Sequence, residues 1–416
     1  MTEQPSGTHG GGAWTRVARA VPAPSSLDGI DLPGLRGWLD GRREAIVADL
    51  VSYASLETPS DDLALLAAGL THLESWLGAR LGAPAARAHH ASTEHGDVLV
   101  LDYPGEGPGA VTLLAHYDTV WSAGTLLGWP VLVDGDRLTG PGVFDMKAGL
   151  VQVVWGIRAL RSAGLPTPAL RLVLNGDEEI GSPFSRPLIE TACAGTDAVL
   201  VFEAAADGAV KTARKGVGMF QVRARGVEAH AGLEPEAGAS AIDEIARAVR
   251  TLHDATDLAE GTTVNVGVLR GGTRSNVVAG HAEAEIDVRV RTLAGQHRID
   301  TVLAGLTAHD PRAGLTVLGG WNRPVMERSP AIAAVYALAR RAGERLGVDV
   351  AEVAVGGASD GNFAAAMGLP VLDGLGAIGA GAHARHEHVS IAGMVERAAL
   401  AAGLIGAFGA GGRDHH

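Results

Sequence analysis

Cysteine is almost missing from this 416-residue chain: Cys193 stands alone, which excludes a disulfide framework and a thiolate metal cluster. A reducing, cytoplasmic compartment is the expectation that goes with it. Aromatic residues are scarce at 4%, so the core must be built from Val, Leu, Ile and Ala. Positive charge is also short. Lys and Arg number 34 against 47 Asp and Glu, the formal net charge is −13, and no basic run exceeds a pair. Nucleic acid is therefore not an expected partner. Nowhere does a continuous apolar run approach the roughly 20 residues of a membrane span. Residues 1–26 also lack the long apolar segment of a secretory signal, so no membrane association is expected.

What is present is the balance of a globular enzyme, with 46% hydrophobic residues and a length that predicts two domains. The Gly-, Pro- and Ser-rich start reads as a flexible arm over residues 1–30. The closing Gly-Gly-Arg-Asp-His-His carries no weight in the site. Helices are predicted over about 35–52 and 61–81. Short apolar runs at Ala110–Ala115, Leu170–Leu174 and Ala198–Phe202 read as buried strands of a parallel sheet. Between them, Leu150, Val154, Ile157 and Leu160 recur at helical spacing, which predicts strand–helix–strand units. After about residue 213 the pattern changes to alternation. Ala284, Ile286, Val288 and Val290 share one face of a strand, and Glu283, Glu285, Asp287 and Arg289 the other. A helix over 240–252 carries the stripe Ile242, Ile245, Val249 and Leu252. The expected division is thus 31–212 and 323–410 for the larger domain, with a sheet-plus-helix domain of 213–322 inserted in it. The fold class is α/β, mostly parallel, with an α+β insert.

Polar residues gather at strand ends or adjoining loops: His116, Asp145, Glu179, Glu203 and His383. In open α/β sheets ligands bind there. One imidazole and one carboxylate per ion, with another carboxylate shared, is a normal donor set for zinc. Two such ions lower the pKa of a shared water and polarise a carbonyl. Asp118, two residues after His116, is spaced to accept from the other ring nitrogen. Glu178, beside Glu179, is placed to move a proton from water to a leaving amine. Taken singly, each has a plainer reading: a satisfied polar pair, a solvated acidic loop, a strand terminator or a hydrophilic turn. Their joint occurrence in this order favours the metal site.

The segments LLAHYDTV (113–120), GPGVFDMKAG (140–149), NGDEEIGS (175–182), VFEAA (201–205) and AHARHEHV (382–389) resemble the metal-site motifs of the aminoacylase/carboxypeptidase family of two-zinc exopeptidases and deacylases. The resemblance spans about residues 40 to 408 and keeps motif order. It implies two zinc ions per chain, with Co2+ or Mn2+ as substitutes. One ion would be held by His116, Asp145 and Glu203, the other by Asp145, Glu179 and His383. Glu178 would serve as general base and acid, and a cis peptide would follow the bridging Asp145. GVEAHAGLEPEAGASAI (226–242) resembles the segment whose histidine, here His230, reaches the scissile carbonyl. GGTRSNVV (271–278) and DVRV (287–290) bring Asn276 and Arg289 to a substrate carboxylate by the same likeness, and Arg323 lies where glutamate-releasing members have Arg. Glu at position 203 favours carboxypeptidases and deacylases over aminopeptidases within this family. The implied reaction is hydrolysis of a small peptidyl or N-acyl amino acid with a free carboxylate. A glutamate-type carboxypeptidase leads, an N-acyl amino acid deacylase is the alternative, and a non-catalytic peptide-binding descendant comes last. The resemblance also implies a homodimer formed through the inserted lid domain.

Overall fold

The strands that read as buried parallel-sheet cores pair side by side in a computed structural model that describes residues 25–410. Most of the expected flexible arm, and the closing Gly-Gly-Arg-Asp-His-His, lie outside the described residues. Its last residues differ from expectation: Leu27 and Ile30 are buried, and Ser26 N–H donates to the Ala407 carbonyl at 3.1 Å. Two apolar side chains within six residues are enough to dock this segment.

The chain divides into two units. The first runs to Thr212 and resumes over Ser329–Val353 and from Met367 onward. The second comprises Ala213–Arg328 and Ala354–Ala366. The change at 212/213 coincides with the change in patterning, but the second unit also takes residues 323–328 and the Gly-rich loop around 356–363. That loop is fastened to it by polar side chains. Asn362 Nδ2 donates to the carbonyls of Lys215 and Pro324, and Arg214 Nη1 donates to those of Gly357 and Ala358.

In the first unit, six strands lie in the order Ala86–His90, Val98–Tyr103, Ala169–Asn175, Ala110–His116, Ala198–Val201, Val371–Leu372. The first two pairings are antiparallel and the remaining three parallel. The antiparallel edge had no clear sequence signal, because Ala86–His90 is a mostly exposed Ala/Arg/His strand. Helix Ala148–Ser162 packs on helix Ile391–Gly409, and a Cβ at Gly156 would sit 2.7 Å from the Ala398 carbonyl. Only glycine permits that approach. Helix Ile391–Gly409 is, among the described residues, the one helix long and apolar enough to cross a membrane, and it is 89% buried in the protein. A small antiparallel sheet pairs His388–Ser390 with Arg137–Thr139, which brings the chain before His388 to the loop after Thr139.

The second unit is a four-stranded antiparallel sheet in the order Thr263–Gly271, His281–Val290, Gly216–Arg225, Gly314–Arg323, with helices Ala241–Asp254 and Leu293–Ala304. Ala284, Ile286, Val288 and Val290 are buried, as their alternation requires. On the first helix the buried stripe is Ala241, Ile245, Ala248 and Leu252, while Ile242 is 43% exposed. The stripe expected from residue 242 is displaced because Glu244 also turns inward, where its carboxylate accepts the N–H groups of His309 and Asp310.

Candidate metal centre

The parallel strands end where their apolar runs end, and polar residues follow at the same edge of the sheet. His116 closes one strand and pairs in register with Asn175, the last residue of the next. Asp177, Glu178 and Glu179 follow that neighbour, and Glu203 follows the strand ending at Val201. Asp145 lies in a tight turn ahead of helix Ala148–Ser162, with a cis peptide to Met146. His383 comes from the loop before the small sheet, at φ 59° in the left-handed region that non-glycine residues seldom adopt.

The Asp145 carboxylate faces two histidines with two different oxygens. Oδ1 lies 3.4 Å from His116 Nε2, and Oδ2 lies 3.4 Å from His383 Nε2. Glu203 Oε1 is 3.5 Å from the same nitrogen of His116, and Glu179 Oε2 is 3.1 Å from that of His383. The result is two histidine–glutamate pairs on either side of one aspartate. Glu178 joins the His116–Glu203 side, where donor atoms of the three residues lie within 4.8 Å of one another; those of His116, Asp145 and Glu179 do likewise.

Buried His116 Nε2 and Glu179 Oε1 have no hydrogen-bond partner, although the atoms around them are polar. Cations among them would satisfy both, and imidazole nitrogen with carboxylate oxygen is a donor set that zinc accepts. The electrostatics agree. Asp145 and Glu179 hold the His383 pKa up at about 10. Burial opposes charge on His116, yet Asp118, Asp145 and Glu203 draw its pKa well above the ordinary value. Burial pushes Glu179 up to about 7 despite its bond to His383. So much negative charge in a buried space calls for positive charge, which metal ions supply in place of protons.

Asp118 faces His116 Nδ1 with two of its oxygens. The atom nearest His116 Nδ1 is its backbone carbonyl at 3.1 Å, with the carboxylate Oδ1 at 3.4 Å. The carboxylate is chiefly engaged elsewhere. Oδ2 accepts from Ser60 Oγ at 2.7 Å and Glu179 N–H at 3.1 Å, and Oδ1 accepts Glu178 N–H at 3.3 Å. The carbonyl thus fixes the imidazole tautomer, and the side chain seats the turn that carries Glu178 and Glu179.

Two buried groups were not singled out from the sequence. Glu387, fully buried, accepts hydrogen bonds from the loop that holds Asp145, and Lys147 donates to the Leu56 carbonyl at 2.6 Å. Burial pushes Glu387 up, while its hydrogen bonds work the other way. Burial brings the Lys147 pKa down to about 8, partly offset by the charge of Glu387. In the sequence, Glu387 sits within Arg-His-Glu-His, which reads as a hydrophilic turn. The spacing His383–Glu387 was the one available hint.

The second unit gathers its site residues at two ends of its sheet. His230 bridges to Val277, and Ala231 N–H donates to the Asn276 carbonyl at 3.0 Å, so His230 and Asn276 are neighbours. His230 Nδ1 accepts from the N–H groups of Gly232 and Leu233 at 3.2 and 3.1 Å. Nδ1 therefore carries no proton, and Nε2 is the N–H donor. Arg289 and Arg323 both pair with Val217 at the far end. Arg289 is half-buried and forks onto Asp287, with Nε–Oδ1 and Nη2–Oδ2 both 2.9 Å. Arg323 is only 3% exposed; it lies 3.1 Å from Asp360 and stacks over Phe363. The carboxylate beside it is one of the protein's own, Asp360, as the carboxylate beside Arg289 is Asp287.

A mostly parallel sheet with two histidine–glutamate pairs about one aspartate at its edge carries the donor set of a metal-dependent hydrolase. The chain belongs to Peptidase family M20/M25/M40, whose family model matches residues 112–407. It is 31% identical to carboxypeptidase G2 of Pseudomonas sp. (strain RS-16) over 380 residues, 88% of this chain and 90% of the relative. It is 32% identical to acetylornithine deacetylase of Myxococcus xanthus over 208 residues, 46% of this chain and 52% of that protein. The fold is also that of aminopeptidase PepT from Bacillus cereus, with a TM-score of 0.69 at 21% identity, over 88% of this chain and 98% of that one.

Proposed function

We propose that this metallopeptidase-family hydrolase cleaves the amide bond of small peptidyl or N-acyl amino acids that carry a free carboxylate, and that it acts as a glutamate-type carboxypeptidase with two zinc ions per chain. The carrying observation is the Asp145 carboxylate shared between the His116–Glu203 and His383–Glu179 pairs. Bound there, the two ions would supply an activated water and a polarised substrate carbonyl. Glu178, on the His116–Glu203 side, takes the proton from water and delivers it to the leaving amine. His230 donates its Nε2–H to the oxygen on which charge develops, and Arg289 and Asn276 hold the free carboxylate.

This assignment favours a homodimer. Arg289 stands eight strand residues from His281, next to the end where His230 and Asn276 sit, about 27 Å at the usual rise per residue. One small substrate does not span that distance within one sheet, so His230 and Asn276 reach it from a second copy. Ile242 on helix Ala241–Asp254 and Leu269 on the edge strand are 43% and 52% exposed, which suits a pairing face there. The proposed setting is the cytoplasm.

A deacylase is the second reading, favoured by the similarity to an acetylornithine deacetylase. Metal-free and zinc-loaded protein assayed against peptidyl-glutamates, other peptidyl amino acids and N-acetyl or N-succinyl amino acids separates the two. Zinc-dependent release of C-terminal glutamate is expected. Preference for the acyl series would favour the deacylase, and binding without turnover of any compound would mark a non-catalytic descendant.

A further inference from the structure

Glu387 carries a carboxylate that is fully buried and yet surrounded by donors. Oε1 accepts the backbone N–H groups of Phe144 at 2.9 Å and Asp145 at 3.1 Å. Oε2 accepts Gly142 N–H and Trp121 Nε1–H, both at 3.0 Å. Three of these four donors belong to one turn, whose last member is the aspartate that faces both histidines. Gly142 has φ 72°, so the turn has a shape in which N–H groups converge, and a converging nest of N–H groups selects an anion. The fourth donor ties in the rim. The Trp121 ring packs edge-on against Trp129 at 4.9 Å, with Arg385 over both rings.

We infer that Glu387 is a positioning residue for the metal centre: its carboxylate gathers the 142–145 turn and sets where the Asp145 carboxylate stands between His116 and His383. It touches neither substrate nor the reacting atoms. The inference rests on the proposed metal reading of the site. Its physical basis is the number and direction of the bonds. A glutamine has the same shape but offers one acceptor oxygen, and its NH2 group would face either Phe144 and Asp145 N–H or Gly142 N–H and Trp121. Either orientation turns two attractions into donor–donor clashes. Partners that hold a ligand in place commonly change metal affinity by about 10–100-fold when altered.

The test is zinc affinity, measured by competition with a chromophoric chelator on wild type, Glu387→Gln and Trp121→Phe, beside thermal unfolding of the metal-free forms. For Glu387→Gln we expect zinc affinity about 10–100-fold weaker, measured at a temperature where the metal-free variant is still folded, with activity recovering as zinc is raised. Trp121→Phe keeps the three backbone bonds and should stay within about threefold of wild type, because the indole lies outside the 142–145 turn. Wild-type zinc affinity in Glu387→Gln, or an equal loss in Trp121→Phe, would overturn the inference. Amide exchange on metal-free wild type needs no variant to fold: the 142–145 amides should be protected, and rapid exchange there would equally overturn it. If wild type itself takes up no zinc, it is the metal reading that fails.

Discussion

Asp118 holds Glu179 by its backbone, not its side chain: Oδ2 accepts the Glu179 N–H at 3.1 Å while Oδ1 accepts that of Glu178 at 3.3 Å. One buried carboxylate therefore seats both the proposed ligand and the proposed base. Asp118→Asn must turn an NH2 group toward at least one of these N–H groups. Activity should fall about 10–100-fold with the unfolding temperature little changed, read by steady-state kinetics and calorimetry. Full activity would show that the seat is not needed.

Glu178→Gln removes the proton carrier but keeps the shape of the turn. Turnover should drop by roughly two to four decades, and zinc content measured by mass spectrometry should stay that of wild type. A zinc-replete Gln variant with near-normal turnover takes Glu178 out of this role.

The two arginines at one end of the inserted sheet should separate in behaviour. Arg289 is partly exposed, so Arg289→Ala should raise KM for carboxylate-bearing substrates and leave unfolding nearly untouched. Arg323 and Asp360 are 3% and 6% exposed as a pair, so Arg323→Ala takes a charged partner from a buried carboxylate. A loss of roughly 3–5 kcal/mol in stability is expected. Chemical denaturation and kinetics on both variants check this; the opposite pattern would place Arg323 at the substrate.

Much of this was legible in the sequence, for physical reasons that differ by element. His116, Glu179 and Glu203 follow buried strands or their turns, so a polar residue after an apolar run marked the edge of the sheet. The insert was visible as a change from continuous apolar runs to alternation at about residue 213. Other features had no such signal. Glu387 and Ser60 act from turns, where burial follows no period. The displaced stripe of helix Ala241–Asp254 depends on Glu244 finding two backbone N–H groups at His309 and Asp310, about 65 residues away in the chain. The contact of Arg323 with Asp360 was hidden because Asp360 lies in a Gly-rich loop that sequence alone assigned to the larger domain.

If His230 serves a neighbouring chain, inactive chains should complement each other. In a mixture of His230→Ala and Glu178→Gln protomers, a mixed dimer holds one site with both an intact Glu178 and an intact His230. Free exchange should restore about one quarter of wild-type activity, since half the dimers are mixed and each has one working site. Mixed dimers that form without activity would place His230 within its own chain or outside the reaction.

The account turns on Asp145 standing between two metal ions. Metal analysis on active protein, with anomalous scattering from its zinc-loaded crystals, addresses that directly. Two ions per chain are predicted, about 3.5–4 Å apart, with His116 and His383 on different ions and one Asp145 oxygen on each. Full activity with a single tightly held ion, or two ions that do not share Asp145, would contradict it.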